Sequence, residues 1–265
     1  MEVGWTTRFF TPEKLLIAAV IYLGFNALYG AIAERARRQQ LPFAMQSPGA
    51  FMPLASMALV VYLLSYPSLA LQPVMVLGLL VAFSFQSTLA AWRHDEARPF
   101  YVWTGGTAFI LLLSWTNLRL TDANLVWTLA SYLAFAALHG AFPIMLKRLR
   151  PQAQPFEWGY LAPLAMLGLI FAAMVAGSVL SFLIWPFVLW IGLLAMVLAW
   201  IAGSVLAAGT AVLLVMASFG VWLMRLPDAS GLPGILITLA FFAAGLFALG
   251  LLMTAGRVPK FLSDL

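Results

Sequence analysis

Cysteine is absent from the 265 residues, and charge is scarce: 14 Lys and Arg, 9 Asp and Glu, and 2 His. Without thiols the chain can hold no disulfide, no thiolate metal site and no cysteine nucleophile. Charged residues make up 9% of the chain, whereas soluble domains carry about a quarter. So few charges cannot clothe a water-soluble globule. What is present is apolar: 64% of residues are hydrophobic and the mean hydropathy is +1.00. The composition reads as a polytopic helical membrane protein. The net charge of +5 is explained by basic residues gathering at the cytoplasmic ends of membrane helices, so no nucleic-acid partner is inferred.

Crossing about 30 Å of hydrocarbon takes some 20 apolar residues in a helix. Nine stretches approach that length, near Leu15–Ala33, Ala50–Ser65, Val74–Ala91, Tyr101–Asn117, Leu125–Met145, Tyr160–Gly177, Phe182–Trp200, Gly203–Met224 and Leu232–Met253. From Gly159 to Met224 no charge occurs, so the division into three spans rests on length and on Gly177-Ser178 and Ala202-Gly203. A β-barrel is disfavoured, because it would alternate polar and apolar residues in segments of about ten.

Lys and Arg set the orientation. With the amino terminus outside, ten fall inside (Arg35, Arg37, Arg38, Arg93, Arg98, Lys147, Arg148, Arg150, Arg257, Lys260) and four outside (Arg8, Lys14, Arg119, Arg225). That bias predicts N-out, C-in and an odd number of spans. The first span resembles a signal peptide with Ala31-Ile32-Ala33 as a cleavage site. Arg35, Arg37 and Arg38 directly after it oppose export, and the same segment recurs within the chain.

That recurrence is an internal repeat. Comparing residues 11–59 with 121–169 gives 15 identities in 49 positions, where coincidence would supply about five. The matches include Tyr22/Tyr132, Gly30/Gly140, Arg38/Arg148, Gly49/Gly159 and Pro53/Pro163. A fainter third copy aligns Thr128, Leu129 and Ala130 with Thr238, Leu239 and Ala240. The expected architecture is therefore all-α, a transmembrane bundle of about nine helices in tandem parallel four-helix repeats. Residues 1–118 form the first unit, 119–227 the second, and 228–265 a single helix of a third. That last helix either caps the array or marks the chain as a piece of a longer protein.

The alternation of segments such as Leu138-His139-Gly140-Ala141-Phe142-Pro143 and Trp92-Arg93 with Trp-bearing spans resembles large bacterial multi-pass membrane proteins of unknown function. The resemblance implies a bacterial inner membrane and many spans, and brings no activity or site. Members of that family are larger than this chain, which favours the fragment alternative.

Several features have plain structural roles. Small residues four apart (Gly168/Ala172/Ala176, Gly203/Ala207/Ala211, Ala27/Ala31) suit close helix approach, and Gly105-Gly106 suits the same. Trp5, Trp92, Trp103, Trp115, Trp158 and Trp200 near span ends suit interfacial anchoring. Thr11 and Thr121 suit N-caps, with Glu13 and Asp122 at the positive ends of helix dipoles. Pro53 and Pro163 are placed in the opening turn of the second span of each unit.

No Asp, Glu, Lys or Arg sits in mid-span, which disfavours a proton relay. No catalytic motif, metal-ligand spacing or cofactor-binding loop appears. The candidate binding residues are Tyr22, Asn26 and Tyr29, on one helical face, with Tyr132 and His139 at matching positions in the second unit. A polar stripe present in both units could line a cleft for a small apolar or amphipathic ligand, as in parallel-repeat carriers. The leading reading is thus an integral membrane protein of transport-like or ligand-binding kind, with membrane lipids as partners. Two alternatives stand beside it. One is a membrane enzyme using Arg93-His94-Asp95-Glu96 and His139 on a lipid-linked substrate. The other is a structural assembly subunit with no ligand.

Overall fold

The structure, a computed structural model, describes residues 12–65, 72–152, 156–177, 181–225 and 232–254. Among them are nine α-helices and no strand. They are α1 (Pro12–Arg38), α2 (Phe43–Ser65), α3 (Pro73–Arg93), α4 (Arg98–Arg119), α5 (Leu125–Leu149), α6 (Ala162–Ala176), α7 (Ile184–Ile201), α8 (Val205–Met224) and α9 (Leu232–Thr254). Each overlaps one of the nine expected spans. Seven of these regions, those of α1, α2, α3, α5, α6, α7 and α8, are long and apolar enough to cross a membrane. The protein is an integral membrane protein. At 22 residues α4 is long enough, but Thr104, Gly105, Gly106, Thr107, Ser114, Thr116 and Asn117 dilute its hydropathy. α9 contributes a shorter apolar stretch, Leu232–Gly245.

The helix ends follow from local chemistry. Gly177 (φ 73°) and Gly203 (φ 63°) adopt the left-handed conformation at the ends of α6 and α7, so both glycines used to divide the uncharged run do end helices. After α1 the same role falls to Gln40, at φ 55°. Its N–H donates to the Arg37 carbonyl at 2.9 Å, and that of Leu41 to Ala36 at 3.0 Å, the paired bonds of a Schellman turn. At the start of α5, Asn124 Oδ1 accepts the Thr121 backbone N–H at 3.0 Å, half of a capping box. Thr11, Trp5, Arg8, Ser178, Arg257, Lys260 and the Glu13 side chain lie outside the described residues.

One expectation fails at α2. The helix begins at Phe43, seven residues before the expected start, so Pro48 and Pro53 both lie inside it. The polar residues Gln46 and Ser47 ended the apolar run without ending the helix. Pro163, by contrast, opens α6 as expected.

The contacts divide the chain into two compact units, Met1–Ser131 and Tyr132–Leu265, with the boundary inside α5. In the first unit α2 is central and touches α1, α3 and α4. Opposite ends of the unit carry separate ties. Arg93 reaches Glu34 at 3.8 Å, joining the ends of α3 and α1. Arg119 donates to the Leu64 carbonyl at 3.1 Å, joining the ends of α4 and α2. The ties bring the end of α3 to that of α1 and the end of α4 to that of α2, as an up-and-down order of helices would. In the second unit α6, α7 and α8 pack mutually, and Arg225 at the end of α8 donates to the Val175 carbonyl near the end of α6.

The residues making close contact differ from those expected. Gly168 and Gly106 have nothing within 4 Å of an added Cβ, and Ala172 and Ala176 are exposed. The tight approaches are at Gly49 and Gly159. A Cβ on Gly49 would lie 2.5 Å from Ala33 Cβ and 3.1 Å from the Tyr29 carbonyl of α1. One on Gly159 would meet the His139 carbonyl and the Pro143 ring of α5. The tryptophans also divide. Trp103 and Trp158 are exposed, as interfacial residues would be. Trp115 is fully buried and donates from Nε1 to Thr128 Oγ1 at 2.9 Å, so it joins α4 to α5 instead of anchoring at an interface.

Candidate functional site

A cavity of about 480 Å³ opens within the first unit, between α1, α2 and α3. Its walls owe their spacing to small residues: Ala27, Gly30 and Ala31 of α1, Gly49 and Ala50 of α2, and Ala82 and Ala90 of α3. Phe43, Phe85 and Leu89 add apolar surface. One end carries Glu34, Arg93 and His94, at the helix termini. The other end carries Asn26, two helical turns further along α1.

Asn26 is the best-defined polar group of this cavity, only 4% exposed. Its Nδ2 donates to Ser56 Oγ at 2.6 Å and to the Tyr22 carbonyl at 2.8 Å. Its Oδ1 is buried and accepts no hydrogen bond from any described residue. Gln86, on α3, is in the same state: Oε1 is buried with no partner among the described residues. An unmatched buried acceptor costs about 1–3 kcal/mol, so native proteins leave few of them. Here two residues that each carry such an oxygen line one cavity.

The charged end is built around Glu34. Its carboxylate accepts from Arg37, through Nε at 3.0 Å and through a second guanidinium nitrogen, and from Arg38 Nε at 3.2 Å. Arg93 stands at the outer limit of an ion pair with it, 3.8 Å away. Arg93 is the arginine among the residues lining the cavity. The adjoining Asp95 is paired with buried Arg98 at 3.0 Å.

Of the residues expected to bind a ligand, only Asn26 lines this cavity. Tyr22 is 37% exposed and Tyr29 half-buried, and neither is among the cavity residues. Tyr132 and His139 belong to the second unit, where both are buried and the His139 ring lies 4.1 Å from that of Phe135. Gln86 was missed because a search for charge in mid-span passes over an uncharged amide. The second unit has no counterpart of the Asn26–Ser56 hydrogen bond on its first two helices. Ala136 and Met166, 110 residues beyond Asn26 and Ser56, are both fully buried and apolar.

The chain matches no protein-family model, no curated protein and no solved structure.

Two other cavities offer less chemistry. One of about 530 Å³ near Trp158, Tyr160 and Ser204 sits at the helix ends of the second unit, and its Ser204 hydroxyl already accepts the Ala207 N–H at 3.2 Å. Another of about 530 Å³ between α1 and α3 is lined almost wholly by apolar side chains. Among the described residues no three His, Asp or Glu gather in a manner that could hold a metal ion.

Proposed function

We propose that the protein is a ligand-binding membrane protein of transport-like kind, whose first helical unit holds a small amphipathic molecule. The observation carrying this is a mostly apolar cavity of about 480 Å³, lined by two residues, Asn26 and Gln86, whose buried amide oxygens have no hydrogen-bond partner among the described residues. That volume lies in the range of small-molecule sites, which are mostly apolar with a few polar groups to orient the ligand. A pure packing role would have matched the amides to each other or replaced them with apolar residues. The second unit carries apolar residues, Ala136 and Met196, at the positions 110 residues beyond the two amides.

The same proposal includes a duplicated origin for the two units. Supporting it, the Gly49–Tyr29–Ala33 approach and the Gly159–His139–Pro143 approach involve residues 110 positions apart, the spacing of the sequence repeat. Arg119 and Arg225 likewise each hold a carbonyl near the end of the second helix of their unit. In this reading one copy retained a polar cavity and the other was filled. The arginine-rich ends lie on the cytoplasmic side of a bacterial inner membrane, with the amino terminus outside.

The test is photolabelling of the full chain in lipid nanodiscs with a single-chain amphiphile bearing an alkyl diazirine. Cross-links concentrated on Ala82, Leu89 and Ala90, and lost in the cavity-filling variant Ala82→Trp, are the expected result. Labelling spread evenly over lipid-facing surfaces, and unaltered by Ala82→Trp, would overturn the proposal.

A further inference from the structure

One line of side chains is open on α1 and closed on α5. Ala18, Tyr22, Phe25, Tyr29 and Ile32 follow one another at steps of four, three, four and three residues, so they form a single stripe along α1. Tyr22, Phe25 and Ile32 are 37%, 50% and 48% exposed, and Ala18 and Tyr29 are half-buried. The residues 110 positions on, Thr128, Tyr132, Phe135, His139 and Phe142 of α5, are all buried, with Tyr132, Phe135 and Phe142 at 1%, 5% and 2%. The buried residues of α1 (Leu15, Ala19, Asn26, Ala33 and Ala36) have buried counterparts in α5. The stripe therefore accounts for most of the difference between the two helices.

Where its cover is visible, the stripe meets the helix that comes before it in the chain. Thr128 of α5 accepts the Trp115 indole N–H of α4. A further 110 residues beyond Tyr132 stands Phe242, the one buried side chain among the described residues of α9. Its ring lies 6.3 Å from that of Phe219 of α8, edge to face. Among the described residues no helix precedes α1. Lipid covers any apolar face, so exposure alone selects no partner; the contrast with α5 and α9 selects protein. Within one chain α4 and α8 are already engaged at Trp115 and Phe219, so a second copy has its own α1 stripe to offer.

We infer that the protein dimerises through α1, whose stripe packs against the same stripe of a second copy. Both copies enter the bilayer in one orientation, so the two-fold axis runs along the membrane normal and the two helices lie parallel. Steps of four and three are those of a left-handed helix pair. Ala18 leaves room for close approach, and Tyr22 and Tyr29 bring hydroxyls to the seam, the kinds of contact that join helices in lipid. The interface is independent of the ligand site and rests on the duplicated origin proposed above.

The chain has no cysteine, so single cysteines placed in the full chain report the interface directly, in bilayers with lipid in large excess. Ala18→Cys and Ile32→Cys are expected to form disulfide-linked dimers on mild oxidation. Leu16→Cys, Val20→Cys and Ala27→Cys, on the opposite side of α1, are expected to stay monomeric. Phe25→Ala should weaken dimerisation about tenfold in single-molecule photobleaching, the effect of removing an aromatic contact, and leave the unfolding midpoint unchanged because Phe25 is half exposed in the single chain. Phe135→Ala, its buried counterpart, should lower the unfolding midpoint and leave dimerisation intact. No cross-link at any position, with one copy per bleaching spot, would overturn the second copy as the partner and leave the duplication standing. Cross-links centred on Leu16, Val20 and Ala27 would overturn the stripe as the contact. A Phe135→Ala protein as stable as the parent would overturn the likeness of α1 and α5 on which the interface rests.

Discussion

Replacing Gly49 with alanine tests how the cavity is held open. The new Cβ would lie 2.5 Å from Ala33 Cβ, and ordinary contact begins at 3.4 Å, so about 0.9 Å must be found between α1 and α2. Neither neighbour can yield by rotating a side chain, because Ala33 Cβ and the Tyr29 carbonyl are both fixed to the α1 backbone. Overpacking of this kind costs about 1–3 kcal/mol, partly offset by the roughly 0.5–1 kcal/mol that alanine gains over glycine within a helix. The net expectation is a loss of up to about 2 kcal/mol. Gly78→Ala in α3 is the control: its Cβ meets nothing within 4 Å, so only the helix gain remains and the variant should be slightly more stable than the parent. Reversible unfolding in mixed micelles measures both. Gly159→Ala, which meets the His139 carbonyl and the Pro143 ring, should behave like Gly49→Ala. A Gly49→Ala protein as stable as Gly78→Ala would refute the reasoning.

Other outcomes follow from single residues. Gln40→Gly should stabilise the chain by up to about 1–2 kcal/mol in the same unfolding assay, since Gln40 holds a left-handed turn at φ 55° that costs a side-chain-bearing residue about that much. A double-mutant cycle over Trp115→Phe and Thr128→Val should give a coupling of about 0.6–2 kcal/mol, the usual range for a hydrogen bond between membrane helices. Tyr22→Phe should leave photolabelling of the cavity unchanged, because the ring lies outside it. The absence of native cysteine makes orientation simple to measure with Arg38→Cys, Arg148→Cys, Arg119→Cys and Arg225→Cys. An impermeant maleimide applied to intact spheroplasts should label only the last two, and labelling of the first two would refute the proposed orientation.

The helices were legible because a span is a local property: length, hydropathy and a terminating glycine are all written in consecutive residues. Gly177 and Gly203 were found for that reason. The early start of α2 was not, because Gln46 and Ser47 break an apolar run without breaking a helix. Gln46 stays compatible by donating from Nε2 to the Leu41 carbonyl at 2.6 Å. The site was legible only at Asn26. Helical spacing correctly put Tyr22, Asn26 and Tyr29 near one another, but it could not show that the neighbours of α1 cover only a narrow strip of that face. Gln86 needed α3 beside α1 before its amide had any meaning. Small-residue spacing misled at Gly168 and Gly106 because a smooth face invites a neighbour without supplying one. Gly49 and Gly159 stood out in the repeat, where residue identity had been kept at matching positions.

Pro53 has a consequence for how the cavity works. Proline has no N–H, so the carbonyl of Gly49 loses its donor four residues on, and Gly49 and Pro53 both line the cavity. At Pro48 the same loss is made good, since Ser47 Oγ donates to the Ala44 carbonyl at 3.0 Å. The chamber is thus walled by the stretch of α2 where bending meets least resistance. Its width rests on a wall with one backbone hydrogen bond fewer than its neighbours, braced against α1 by the close approach at Gly49.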